Sequence, residues 1–172
     1  MLAARLVTMI ENHAEQLTTR VVHELRLSPH TPSYHQLDAE ENYARVLNVV
    51  SNLGEWLEHK SAAATEDAYR KLGLQRFRER IPLCEVVGAL MLTKRVLLSF
   101  IQSEGLVDTA FELHQQVEVY SLISDFFDRA IYFTVLSYEE QAREAGKTAA
   151  LSEPRKRTFA AGWRLGGSPH AA

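Results

Sequence analysis

The sequence predicts an all-α domain of about five helices that ends in one long helix and a disordered tail. Three observations carry this reading. Apolar residues recur at spacings of three and four along most of the chain, the period of an amphipathic helix. No segment shows a strand-like alternation. Proline, glycine and small-residue breaks divide the periodic stretches into five. At 172 residues the chain is long enough for one domain with a substantial core and too short for two.

The first helix carries Leu6, Met9, Ile10, His13, Leu17, Val21 and Leu25 on one stripe, and Pro29 and Pro32 stop it. Asp38 is expected to cap the second helix, with Glu41 three residues on to complete a capping box. Its stripe is Tyr43, Val46, Leu47, Val50, Leu53, Trp56 and Leu57, and Gly54 within it suggests a close helix crossing. After the small residues from Ser61, Thr65 is the expected cap of a third helix running to about Arg80. Ala68, Tyr69, Leu72, Leu74 and Phe77 are its candidates for burial, while Arg70, Lys71, Arg76, Arg78 and Arg80 are expected in water.

Pro82 suits the first position of a fourth helix, from Leu83 to about Gln102. That helix is apolar around most of its circumference, which predicts a central position covered on several sides. Gly105 closes it, and Asp108 caps the last helix. Phe111, Leu113, Val117, Tyr120, Ile123, Phe126, Phe127, Ile131, Tyr132, Val135 and Tyr138 carry this helix to about Ala145. It would span on the order of 55 Å, more than a compact domain of this size covers. Such an overshoot points to an oligomer interface or to a connection with something downstream. Residues 1–147 are therefore read as the helical domain and 148–172 as a flexible basic tail.

Composition excludes several function classes. Hydrophobic residues at 46% and charged residues at 24% are ordinary for a soluble globular chain. A net charge of −3 provides no global field for nucleic acid. The single cysteine, Cys84, precludes an internal disulfide and a thiolate metal cluster, and is expected to be a small core residue. The N-terminus lacks the apolar run of a secretory signal, and no window approaches the ~20 apolar residues that cross a bilayer. The expected location is the cytoplasm.

None of the seven histidines has a metal-site spacing such as His-Glu-x-x-His. His30 and His35 flank the proline turn as a weak metal pair at most, His13 is expected to be buried on its stripe, and His59 and His114 are expected on the surface. No nucleophile elbow is present. No enzyme, metal or cofactor is expected, and the reading is a protein that works by contact.

One ordered set of short motifs goes further. Thr31-Pro32-Ser33-Tyr34, Leu37-Asp38, Asn52-Leu53-Gly54-Glu55-Trp56-Leu57, Tyr69-Arg70-Lys71-Leu72-Gly73, Arg76-Phe77-Arg78 and Ile81 through Leu90, then Lys94, follow one another. In this order the chain resembles the N-terminal sensory domain of RsbRD-type co-antagonists, over about residues 5–145. That family is associated with bacterial stressosomes and is also found ahead of histidine kinases. The resemblance implies a globin-like fold without haem, dimerisation through helices, and partners that carry STAS or kinase modules. Against that plan, the output module is expected to be missing here, with the short basic tail in its place.

The leading expectation is thus a signalling domain that passes a change in packing through its last helix to a partner, with a homodimer interface including Tyr120, Phe127, Tyr132 and Tyr138. A haem-binding gas sensor is the second reading, although the third helix contains no histidine to hold the iron. The third is a nucleic-acid regulator working through the tail, where Arg155, Lys156, Arg157 and Trp163 are the docking candidates.

Overall fold

The computed structural model describes residues 2–59, 61–103 and 110–152, with side chains except at 2–7, 11, 58–59, 110–116 and 148–152. These residues form α1 (Leu2–Leu27), α2 (Pro32–His35), α3 (Ala39–His59), α4 (Ala62–Arg78), α5 (Leu83–Ser103) and α6 (Ala110–Ser152), with no strand among them. The five long helices are those that the periodicity predicts. The architecture is all-α and consistent with a globin-like bundle, in which α1 lies on α3, α4 lies on α6, and α5 bridges α1 and α6.

The α1–α3 pair is held by its apolar stripes. Ile10, Leu17, Val21 and Leu25 bury against Val46, Val50, Leu53 and Leu57, each side chain returning to the same face after one or two turns. Asp38 caps α3 as expected, its Oδ2 accepting the Glu40 N–H at 3.0 Å. Glu41 does not close a capping box; its carboxylate pairs with Arg45 one turn on.

The proline turn is itself a helix of one turn, α2, with Pro32 in its first positions. Its polar groups staple three helices together. The Thr31 hydroxyl donates to the Leu25 carbonyl at 2.8 Å, the Ser33 N–H donates to the buried Glu85 carboxylate of α5 at 2.7 Å, and the Asn42 amide of α3 donates to the Tyr34 carbonyl at 2.8 Å.

Helix α4 departs most from expectation. Ser61 is its cap, accepting the Ala64 N–H at 3.3 Å, while Thr65 is buried and donates to the Ser61 carbonyl at 3.2 Å. The buried stripe is Thr65, Tyr69, Gly73 and Arg76; Ala68, Leu72, Leu74 and Phe77 are only half-buried. Arg76, expected in water, is 4% exposed.

The close helix crossing lies at Gly73. A Cβ there would stand 2.3 Å from the Thr134 carbonyl oxygen of α6, whereas one at Gly54 would meet nothing within 4 Å. Around that contact the Ser137 hydroxyl donates to the Arg70 carbonyl at 2.7 Å. The Tyr138 hydroxyl donates to the Ile81 carbonyl at 2.8 Å, and its ring meets Phe77 edge-on at 5.3 Å. α4 ends with Arg80 in the left-handed region at φ 59°. The Arg80 N–H bonds to the Phe77 carbonyl and the Ile81 N–H to the Arg76 carbonyl, the paired closure of a Schellman motif.

α5 begins at Leu83, as expected, which puts Pro82 at the N-cap and not at the first helical position, with its carbonyl accepting the Val86 N–H at 3.2 Å. Cys84, expected in the core, is exposed. The expectation that α5 is covered on several sides is half right. Val86, Leu90, Val96, Leu97, Phe100 and Ile101 are buried, yet Met91 is 58% exposed and Val87 and Leu98 are half-buried. One apolar face remains uncovered.

α6 buries Val119, Ile123, Phe126, Phe127, Ala130, Thr134 and Ser137. Phe126 is the hub of an aromatic cluster with Trp56, Tyr69 and Phe127, at centroid distances of 5.3 to 5.7 Å. From Ala142 to Lys147 every residue is exposed. The helix nevertheless continues to Ser152, seven residues past the expected end and into the segment read as tail. Its surface there carries ion pairs one turn apart, Arg143 with Glu139 and Lys147 with Glu144, which support a solvated helix that has no core to lie on.

Candidate protein-interaction surface

The uncovered face of α5 meets the outer face of α6 in a shallow groove of about 520 Å³. Val87, Met91 and Leu98 of α5 and Tyr120 and Ile131 of α6 form its apolar lining. The α5 residues recur at steps of four and seven, and the α6 residues eleven apart, so each set returns to one side of its helix. Lys94 spans the groove to Asp128, Nζ to Oδ1, at 3.1 Å, and Arg95 stands at the rim. An apolar floor with a charged rim is the pattern of a surface that buries against another protein.

The four expected interface residues do not share this face. Tyr120 lines the groove. Tyr132 is 61% exposed, one residue from Ile131, with its ring against Phe133. Phe127 is 1% exposed and belongs to the monomer's own core. Tyr138 is engaged with Phe77 and the Ile81 carbonyl on the α4 side. A stripe of eleven apolar residues on α6 marked the whole helix as contact-making and did not say which side the bundle would use. The residues passed over were Val87, Met91, Leu98 and Ile131. Their signal was present in α5, which carries apolar residues around more of its circumference than neighbouring helices cover.

The remaining expected sites separate in space or lie outside the described residues. His13 is half-buried, its Nδ1 beside the Gln16 amide oxygen at 3.2 Å and its ring 5.2 Å from Phe100. The His35 Nε2–H donates to the Ser28 carbonyl at 2.9 Å. Among the described residues no group of three His, Cys, Asp or Glu is placed to hold a metal ion. A recess lined by α1 through α5 has a volume of about 30 Å³ and no histidine in its wall, which does not fit a porphyrin. The side chains of His59 and His114, and Arg155, Lys156, Arg157 and Trp163 of the tail, lie outside the described residues.

The family model for the RsbT co-antagonist protein rsbRD N-terminal domain matches residues 9–151. The chain belongs to that family. It is accordingly a sensory or signalling domain of the stress-response type, as the order of its motifs implied. No curated protein and no solved structure matches the chain. The matched segment runs from α1 to the penultimate residue of α6. The exposed stretch of α6 therefore belongs to the family's domain and is not an addition to it. No helix among the described residues is long and apolar enough to cross a membrane.

Proposed function

We propose that the chain is a non-catalytic cytoplasmic signalling domain that pairs with a second copy through the α5–α6 groove and presents α6 to STAS-domain or kinase partners. The observation that carries the reading is the uncovered apolar face shared by α5 and α6. Met91 at 58% and Tyr132 at 61% exposure are costly to leave in water at about 25 cal/mol per Å² of apolar surface. A two-fold interface would cover the same patch on both copies. It would also set two α6 helices side by side, so that a change in their packing emerges at the exposed ends, a population shift of a bistable interface.

The test is the mass of the full chain in solution by light scattering, for the wild type, Met91→Glu and Ile131→Glu. Both positions lie on the groove, and Met91 is exposed in the monomer, so its substitution leaves the core intact. A wild-type dimer that both variants convert to monomer supports the reading. A wild-type monomer at all concentrations removes the homodimer, and a dimer unaffected by either variant removes this face. Affinity capture with the wild type and Met91→Glu then separates self-association from capture of STAS or kinase proteins.

A further inference from the structure

A cleft of about 570 Å³ opens between α3 and α4, within the size range of small-molecule sites. Asn52, Glu55 and Trp56 line it from α3, and their spacing of three and four places them on one face of that helix. Ala64, Thr65 and Ala68 line it from α4 at the same spacing. Trp56, Ala64 and Ala68 supply its apolar surface. Trp56 is buried, and its ring packs on Phe126 of α6 at 5.7 Å. The floor of the cleft is therefore one contact away from the last helix.

The polar groups of the wall differ in what they have left to offer. Ser61 and Thr65 are committed to the start of α4: the Ser61 hydroxyl accepts the Ala64 N–H, and the Thr65 hydroxyl donates to the Ser61 carbonyl. Glu55 is exposed and is the one charged side chain among the described residues of the wall. It has an interaction of its own, but a carboxylate offers about four lone-pair sites and accepts several donors at once. Asn52 stands one turn before it and is half-buried. Beside Asn52 lies the Tyr69 hydroxyl, buried and without a hydrogen bond to another protein group. Burial holds that hydroxyl well above its ordinary value, so it stays a neutral donor. The Asn52 carbonyl has two lone pairs, enough to serve Tyr69 and one donor in the cleft. The Tyr69 ring in turn meets Phe126 edge-on at 5.6 Å, a second route from the cleft to α6.

We propose that this cleft binds a small organic cation, an ammonium group carried on a short apolar body. Glu55 and the Asn52 carbonyl accept from the ammonium, while Trp56, Ala64 and Ala68 cover the body. A carboxylate next to an indole favours such an ion twice, by charge and by the attraction of a cation to an aromatic ring. An anion of the same size meets the Glu55 charge with the wrong sign, and a neutral analogue forgoes the charge-assisted bond. The site lies between α3 and α4 and holds whether or not the chain pairs through α5 and α6.

The experiment reads the emission of Trp56 in the full chain carrying Trp163→Phe, which leaves it as the one tryptophan of the two. n-Butylammonium, cyclohexylammonium and phenethylammonium are titrated at constant ionic strength, with n-butanol and butyrate as the neutral and anionic counterparts. The expected result is a saturable change with at least one ammonium and none with the alcohol or the carboxylate. Glu55→Gln should weaken that binding about tenfold, the scale of one charge-assisted hydrogen bond. Ala64 is exposed, so Ala64→Phe fills the cleft without entering the core and should abolish the response, with helicity by circular dichroism unchanged. No saturable change with any of the three ammonium ions overturns the site. An equal response to n-butanol, or an affinity unchanged in Glu55→Gln, overturns the assignment to a cation, and a response that survives in Ala64→Phe places the binding elsewhere.

Discussion

The α1–α3 and α4–α6 pairs are both neighbours in one bundle, yet they are held together in different ways. Between α1 and α3, aliphatic side chains meet in two buried stripes. Between α4 and α6, a glycine brings the backbones into contact, and hydroxyl-to-carbonyl hydrogen bonds from Ser137 and Tyr138 fix the register. The first pair resists by area removed from water and tolerates repacking. The second resists by fit and tolerates almost no added volume. For a signalling domain the consequence is a stiff α4–α6 unit carried on a more adaptable α1–α3 support.

The largest expected effects lie at the two centres of this contrast. Leu53→Ala, at a side chain 1% exposed, should cost about 2–5 kcal/mol by leaving a cavity. Gly73→Ala removes nothing and adds one methyl, but that methyl meets the backbone of Thr134, so about 1–3 kcal/mol should be lost. Chemical denaturation of both variants measures this. A Gly73→Ala protein as stable as the wild type would mean that α4 can slide on α6, and the contrast between the pairs would collapse.

A smaller effect is electrostatic and belongs to the α4 side alone. Because the folded Glu79 carboxyl is held below its ordinary value of 4.5, its ion pairs contribute stability above that value. The contribution is lost as pH falls through the lower folded value. Comparison of the wild type with Glu79→Gln across pH 7 to 2 should show a gap on the order of 1 kcal/mol near neutrality, closing in acid. A gap that stays constant with pH would show that Glu79 acts by shape rather than by charge.

The smallest effects are gains. Gly54→Ala adds a methyl in open space inside a helix and should stabilise by about 0.5–1 kcal/mol. Arg80→Gly relieves a left-handed residue at the end of α4 and should gain up to about 1 kcal/mol. The two glycine positions then sort oppositely, Gly54→Ala upward and Gly73→Ala downward, and thermal midpoints of the pair sharpen the comparison. Equal shifts of one sign would remove it.

What was legible in the sequence follows the same division. The α1 and α3 stripes, the Asp38 cap, the proline turn and the overshoot of α6 could all be read, since apolar period and turn chemistry report on them directly. α4 resisted, because its buried stripe is threonine, tyrosine, glycine and arginine, residues that periodicity counts as polar or neutral. For the same reason the close crossing was assigned to Gly54 and Arg76 was left in water: one-dimensional spacing shows neither a neighbour's backbone nor the carboxylate, Glu79, that pairs with a buried arginine. At the candidate surface the aromatic residues of α6 drew attention, but Phe127 was spent on the core and Tyr138 on α4. Only Tyr120 and Tyr132 remain on the outer side, and the groove floor comes mainly from α5.

The 43 residues of α6 make one uninterrupted rod of about 64 Å at 1.5 Å per residue. A rod of this kind fixes direction as well as distance: each residue advances the axis by about 1.5 Å and turns it by about 100°. Whatever is joined beyond Ser152 is thereby indexed in azimuth to the bundle. One residue inserted between Ala142 and Lys147 would swing it to another side, and seven would bring it nearly back into phase. The exposed end of α6 behaves less like a tether than like a keyed shaft.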